Sequence, residues 1–466
     1  MSRINTNVTS LISQRVLTKN NNSLNTSLER LSTGLKINKG SDNPAGLIAS
    51  ENLRSEKAGI TSAISNAERA SNIIGTAEGG LSEVSNLLIE LQGLVNQSAN
   101  SGGLSAEEKS ANQLQVDSIL STVNRIAGTT SFQGKKLLNG SLDYTTSGVT
   151  STAVADLRVN SAKLGSASSL TINIAVVTSA QTAAVSYTGG AVGSAGVTIE
   201  IAGNTGVEQL SFGSGTTVSS ITTAVNALKD VTGVSASIVA GNVSFSSTEF
   251  GSAQFVSVKA VNGTFTTDKA TDAGADATVS VNGASATGTG KAISYRSGSL
   301  DVDFTLVDAF NKPGNTAFSI TGGGATFSLG GKVTESDKAS LGISRISTGS
   351  LGSDTLGYLS TLGAGGVNAL TGDNIVQAQK IVDLATKQVA QTRGRLGAFQ
   401  KFTIGSTVNS LGVALENVSA SESAIRDTDF AAETANLTRS QILSQASQTV
   451  LAQANASPQA ALRLLQ

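Results

Sequence analysis

Between Leu53 and Val95 a hydrophobic or small residue returns every seven positions, and that period limits the possible folds of this chain more than any other feature. Leu53, Ile60, Ala67, Ile74, Leu81, Leu88 and Val95 form one column, and Ala63, Ala70, Ala77, Val84 and Leu91 form a second, three residues later each time, with Glu56 its charged exception. A sustained heptad repeat specifies a helix that meets another helix along a seam. At 1.5 Å per residue the seam is about 60–65 Å long. Alanine fills much of its first half, so the helix axes can approach closely. Ser41, Asp42 and Asn43 offer capping side chains just before Pro44, whose missing N–H costs nothing in a first turn. Gly79 and Gly80 lie inside the pattern at a cost of about 1 kcal/mol each relative to alanine.

A seam of that length needs partners, and the chain offers two. After a turn at 101–103, Ser105 and Glu108 form a capping box. The helix they open carries Val116, Ile119, Val123 and Ile126 and is expected to run back antiparallel. Residues 132–140 then read as a short hairpin. Near the other end Ile375, Ala378, Val382, Ala385, Val389, Thr392, Leu396 and Phe399 alternate steps of three and four, a second seam of the same kind.

Both extremities carry further apolar helical stripes. Ile4, Val8, Leu11 and Ile12 mark one face near the start, and Leu24, Leu28, Leu31 and Leu35 repeat after them. At the far end a break is expected near Ser419–Ser423. A last helix follows, with Leu443, Ala446, Val450 and Ala454 on one face, Ile442 and Leu451 beside them, and Pro458 marking its expected end. Asn5, Asn7, Gln14, Asn20, Asn21 and Asn22 at one end, and Gln441, Gln445, Gln448 and Gln453 at the other, are amides suited either to an interface or to plain solvation.

Residues 141–364 change character. Strand-formers cluster or alternate between Gly-rich turns over 170–177, 196–201, 243–246 and 300–307. One short helix is expected where Val218, Ile221, Val225 and Leu228 share a face. The fold class expected is therefore multi-domain: an all-α, coiled-coil-like bundle from paired N- and C-terminal regions, with a β-rich (α+β) central insertion.

Composition closes most routes to catalysis. Among 466 residues there is no His, Cys or Trp. The commonest general base, the thiolate nucleophiles and most transition-metal ligands are thus missing. No catalytic, cofactor or metal site is expected. Arg426, Asp427 and Asp429 form a charged cluster, its carboxylates read as favouring the helix N-terminus and pairing with Arg426. A formal net charge of −1 gives no field for nucleic acid. No run of about 18 apolar residues offers a membrane span, and the N-terminus lacks the apolar core of a secretory signal.

Several segments resemble bacterial flagellin. Residues 31–47 (LSTGLKINKGSDNPAGL) are similar to the family's LSSGxRIN…D(D/N)xAGL signature, and 125–138 (RIAGTTSFQGKKLL) to its RIAxxTxFNGxKLL segment. The strongest likeness lies in 425–433 (IRDTDFAAE) and 441–455 (QILSQASQTVLAQAN). Between about 195 and 260, GNTG, LSFGSGTT and GSAQFVSV resemble an insert motif of flagellin middles.

The resemblance implies a structural subunit that self-assembles into an extracellular filament for swimming, exported unfolded and without a cleaved signal. It also implies termini that are largely unordered in the monomer and fold on assembly. The partners implied are further copies of the chain, other flagellins, the hook-associated junction and cap proteins, and an export chaperone at the C-terminal end. The domains expected are 1–42, 43–140, 141–364, 365–420 and 421–466. The bundle seam expected is Leu53, Ile60, Ile74, Leu81, Val84, Leu88, Leu91 and Val95 against Val382, Val389, Leu396 and Phe399. Residues 45–127 and 370–415 should bundle within a subunit, and Ile4, Val8, Leu11, Ile12, Leu24, Leu28, Leu31, Leu35, Ile442, Leu443, Val450 and Leu451 should contact neighbours.

The family's host-receptor segment falls on 88–100, beginning at Leu88, where Leu94, Gln97 and Asn100 keep its pattern. Glu90 and Gln92 stand where it has basic residues, and Gly93 where it has an acidic one, so weak receptor recognition is expected. Two other readings stay open: a hook–filament junction protein, and a secreted binding or enzymatic module in the centre.

Overall fold

The computed structural model describes residues 6–100, 102–165, 167–372 and 374–463, with the backbone alone for 458–463. Ile4 and Asn5 lie outside the described residues. Helix α1 (Val8–Thr33) opens on Asn7, whose side chain accepts the Ser10 N–H, and stops at Gly34 in the left-handed region at φ 73°. Helix α2 (Pro44–Ser98) is 55 residues long. Helix α3 (Ala106–Thr129) carries both halves of the Ser105–Glu108 capping box. A hairpin follows, β1 (Ser131–Phe132) and β2 (Lys135–Lys136).

Three strands come next, β3 (Tyr144–Ser147), β4 (Val154–Ala162) and β5 (Leu170–Thr178). An insertion then holds β6 (Ala184–Tyr187), β7 (Val197–Gly203), β8 (Val207–Phe212), α4 (Val218–Ala227) and α5 (Lys229–Thr232). Its second half is β9 (Val234–Val239), β10 (Asn242–Ser247), β11 (Phe255–Asn262) and β12 (Thr271–Ala273). The chain returns through β13 (Thr278–Val281), β14 (Ala284–Thr289), β15 (Ala292–Arg296), β16 (Leu300–Leu306) and β17 (Gly314–Gly323). Two small hairpins follow, β18 (Ala325–Ser328) with β19 (Lys338–Leu341), and β20 (Gly352–Ser353) with β21 (Gly357–Tyr358). Helix α6 (Ile375–Ala398) continues through a π-helical stretch, Phe399–Gly405, into α7 (Ser406–Arg426), and α8 (Phe430–Arg463) ends the described chain.

The chain divides into two compact units, one of 1–69, 328–337 and 403–466 and the other of 70–327 and 338–402. In the second unit α2, α3 and α6 form the bundle. Ile74, Leu81, Val84, Leu88, Leu91 and Val95 of α2 are buried, with Val116, Ile119 and Val123 of α3 and Val382, Val389 and Leu396 of α6.

Hydrogen bonds fix the directions of these helices. Gln92 donates to Asp383 (2.9 Å) and Gln400 donates to Ser71 (2.8 Å), so α6 runs antiparallel to α2. Asn112 donates to Ser98 (3.3 Å), and a Cβ on Gly80 would lie 2.7 Å from Thr130 Oγ1, so α3 is antiparallel as well. Gly80 is thus the residue that lets the end of α3 close on α2. Phe399 is only half-buried and meets Phe327 with ring centroids 6.1 Å apart.

The β region of this unit has two cores. An eight-stranded antiparallel sheet of order β3-β17-β5-β13-β14-β15-β16-β4 is packed around residues such as Ile172, Ile174, Val302, Phe304 and Phe318. The insertion has its own core around Phe245, Ile199, Ile201, Val243 and Ile221, beneath sheets of order β12-β11-β7-β8 and β6-β10-β9. It leaves and rejoins the larger sheet at one point, where Gln181 and Ala275 exchange backbone hydrogen bonds of 2.8 and 3.0 Å. The α4 segment carries Ile221 and Val225 inward at a spacing of four, as its sequence stripe requires.

In the first unit the early part of α2 buries Ile60, Ala63 and Ala67, whereas Leu53 is half-buried and lies outside the core. Helix α7 buries none of its residues. The break expected near Ser419–Ser423 is absent, because α7 stays helical to Arg426 and the turn falls at 427–429. Nor does Pro458 end α8, which runs on to Arg463; proline removes one helix hydrogen bond, and near a helix end the loss is small.

Candidate assembly surfaces

The two chain ends form one hairpin in the first unit. Heptad spacing explains it, but the residues that carry the period are mostly not apolar. On α1 the positions turned inward are Ser10, Ser13, Leu17, Asn20, Leu24, Ser27 and Leu31, in steps of three and four. On α8 they are Glu433, Leu437, Ser440, Ser444, Ser447, Leu451 and Ala454, in the same steps. Asn7 donates to the Ala454 carbonyl at 2.8 Å and Ser10 to Asn455 Oδ1 at 2.6 Å. Further along, Asn20 donates to Ser447 Oγ at 2.7 Å and Ser444 to Asn21 Oδ1 at 2.7 Å. Arg30 lies 3.7 Å from Glu433 at the closed end. As the number rises on one helix it falls on the other, so the pair is antiparallel.

Small hydroxyl residues let the axes approach, and their hydrogen bonds contribute about 0.5–1.5 kcal/mol each. That is little binding for two long helices. The apolar residues that would supply more point the other way: Val8, Leu11, Ile12, Val16, Leu28, Ile442, Leu443 and Val450 are exposed. The stripes read from sequence therefore split. Leu24, Leu31 and Leu451 belong to the seam within the chain, and Leu35 sits in a bridge to Asp427. Ala454 is buried in that seam and does not share the open face of Leu443 and Val450. The extremities thus contact each other within one chain.

The connections at the closed end pair too. Lys36 N–H donates to the Arg426 carbonyl (2.7 Å) and Thr428 N–H to that of Gly34 (2.9 Å). Asp42 accepts the N–H groups of Lys39 and Asn38, which holds its carboxyl below the ordinary range, and Glu29 raises the Lys39 ammonium. Asp429 caps α8 by accepting from Ala431 and Ala432. Arg426, however, does not pair with the neighbouring aspartates; its guanidinium reaches Glu51 on α2 at 3.1 Å. Lys57 and Arg54 meet Glu422 from the same helix at 3.2 and 3.9 Å.

Of the receptor-like segment, Leu88 and Leu94 are buried in the bundle, while Glu90, Gln97 and Asn100 are exposed. Gln92 is tied to Asp383, and Gly93 faces open space. The serine and asparagine seam is the feature that sequence reading missed. Its signal was present in the period of seven, but only if serine is counted as a seam residue.

Comparison with known proteins agrees with these helical ends. A family model of the bacterial flagellin N-terminal helical region matches residues 4–143, one of the C-terminal helical region matches 379–465, and the flagellin hook IN motif matches 198–249, within the inserted β module. "Flagellin D" of Vibrio cholerae is 31% identical over 463 residues, covering 99% of both chains. "Polar flagellin B/D" of Vibrio parahaemolyticus is 33% identical over 462 residues with the same coverage. Among solved structures, FliC from Burkholderia pseudomallei covers 71% of this chain and 99% of its own at 19% identity and a TM-score of 0.26. The flagellar cap protein of Escherichia coli covers 44% of this chain and 64% of its own at 19% identity and a TM-score of 0.28. Matches to both terminal helical regions, an insert motif between them and relatives aligned over 99% of their length leave one conclusion: the chain belongs to the bacterial flagellin family and is a structural subunit of the flagellar filament.

Proposed function

We propose that the exposed apolar residues of the α1–α8 hairpin are the contacts by which one subunit joins the next. The observation that carries this reading is the hairpin's inverted polarity, serine and asparagine inside and Val8, Leu11, Ile12, Ile442, Leu443 and Val450 outside. A soluble chain seldom leaves so many large apolar side chains open on one element without a partner surface. Burial against neighbours would offset the entropy of holding two weakly bonded helices in place. The hairpin is then stable in the polymer and marginal in the free subunit. The β region is the face shown to the outside of the polymer.

The remaining partners follow from the same surface. An export chaperone would cover the open face of α8 before assembly, and junction and cap proteins would engage it at the filament's ends. No catalytic role is assigned. Receptor recognition is weak in this reading, because exposed Glu90 brings a negative charge to a contact where the family has a positive one.

Electron microscopy of chains lacking residues 1–35 or 430–466, offered to seeds, tests the proposal. Neither truncated chain should extend a seed, while circular dichroism should show the β region still folded. Normal growth by either would overturn it.

A further inference from the structure

The α1–α8 hairpin also bears a polar groove, and helix α7 has the features to fill it in another copy. The groove measures about 1030 Å³ and is lined by Arg15, Lys19, Arg30 and Arg439 among serine, threonine and asparagine side chains, with Glu433 the acidic residue in its wall. Arg30 pairs with Glu433, yet its Nε is buried without an acceptor. Among the described residues Arg15, Lys19 and Arg439 form no ion pair. Four guanidinium or ammonium groups against one carboxylate make a groove that favours an acidic occupant.

Helix α7 is the acidic surface this chain can supply. It buries no residue of its own. Along it Asn409, Val413, Glu416, Ala420, Ser423 and, just past its end, Asp427 recur in steps of four and three, and all are exposed. That places one stripe along the helix, with small residues between the two carboxylates. The other acidic side chain of α7, Glu422, is already engaged by Lys57 and Arg54.

The spacings also agree. Eleven residues separate Glu416 from Asp427, and eleven separate Lys19 from Arg30, about 16.5 Å in each helix. Ala420 and Ser423 would lie over Ser23, Thr26 and Ser27, where small residues on both sides allow close approach.

We infer that the groove between α1 and α8 receives the Glu416–Asp427 stripe of α7 from a second copy of this chain. The inference rests on the assembly role proposed above and names the partner surface. It adds a charge-matched register to contacts that apolar burial alone would leave free to slide.

Charge reversal tests it in the full chain. One variant carries Arg15→Glu, Lys19→Glu and Arg439→Glu, leaving Arg30 to its own partner Glu433; a second carries Glu416→Lys, opposite Lys19; a third carries all four. The first two should each raise the critical concentration for seeded growth by about tenfold or more, through like-charge contacts. Mixing them, or using the third, should restore most of the growth, because each reversed groove then meets a reversed stripe. Circular dichroism of each variant separates lost docking from lost folding. Unchanged growth by the first two overturns the docking while leaving the assembly role intact, and so does a third variant no better than the first two. If the unaltered chain itself fails to extend seeds, both proposals fall.

Discussion

Replacing Leu11, Ile442 and Val450 with serine in one chain should leave the free subunit folded and cripple its assembly. In the subunit these side chains are 57%, 61% and 56% exposed, so more than half of each still awaits burial. Complete burial of such a side chain is worth about 1.5–3 kcal/mol. The exposed fraction therefore holds about 1–1.7 kcal/mol per residue, or about 3–5 kcal/mol for the three. At 1.4 kcal/mol per factor of ten, the critical concentration rises roughly a hundredfold to a few thousandfold. Stability of the free chain should change by no more than about 0.5 kcal/mol per site, the usual range for surface positions. The assay is seeded polymerisation, followed by sedimentation and measurement of the protein left in the supernatant. A triple variant with the wild-type residual concentration would mean that burial of this face contributes nothing to assembly.

Other perturbations separate the parts of the chain. Ile74→Ala in the bundle seam, where the side chain is fully buried, should cost about 2–5 kcal/mol of stability in chemical denaturation. Joining Gln181 to Ala275 by a short Gly-Ser turn in place of 182–274 removes a module with its own core. The eight-stranded sheet should stay folded, seen as retained cooperative melting of the shortened chain. Burial raises the Asp143 carboxyl, so its ionised form is disfavoured in the fold and stability is lost as pH rises through that raised value. Asp143→Asn keeps an acceptor for the Tyr144 N–H; its melting temperature should match or exceed wild type near neutral pH, and the advantage should shrink on acidification.

How much of this was legible in the sequence depends on which residues carry the period. The α2 and α6 seams could be read because Ile74, Leu81, Leu88, Val382 and Val389 are apolar, and apolar recurrence is the signal that pattern reading counts. The α1–α8 seam was hidden because Ser10, Ser13, Ser27, Ser444 and Ser447 hold its inward positions. The leucines that stand out in these helices include Leu11, Leu28 and Leu443, which face out. Strands over 170–177 and 300–307 were visible in their β-branched residues. Their pairing was not, since β5 lies between β13 and β17, whose sequences begin more than a hundred residues away.

Local chemistry also misled in one place. Arg426 beside Asp427 and Asp429 suggested an internal cluster, but the fold brings Glu51 within reach of Arg426, Asp429 caps α8 and Asp427 is left exposed. The phase of the C-terminal helix could not be extrapolated either. Four residues after Phe399 the seam would pass through Thr403, and the π-helical stretch moves the buried position to Ile404. One extra residue in a wide turn is invisible to a count of threes and fours.

In the proposed assembly the outward face of the terminal hairpin becomes the inside of the polymer. Because the chain has no cysteine, single thiols can report on it directly. Leu11→Cys, Ile442→Cys and, on the surface of the inserted module, Val239→Cys can each be offered a maleimide before and after polymerisation. Burial of this face on assembly requires that all three react in the free subunit, and that positions 11 and 442 become protected in the polymer while 239 stays reactive. Thiols at 11 and 442 that react as readily in the polymer as in the free chain would contradict it.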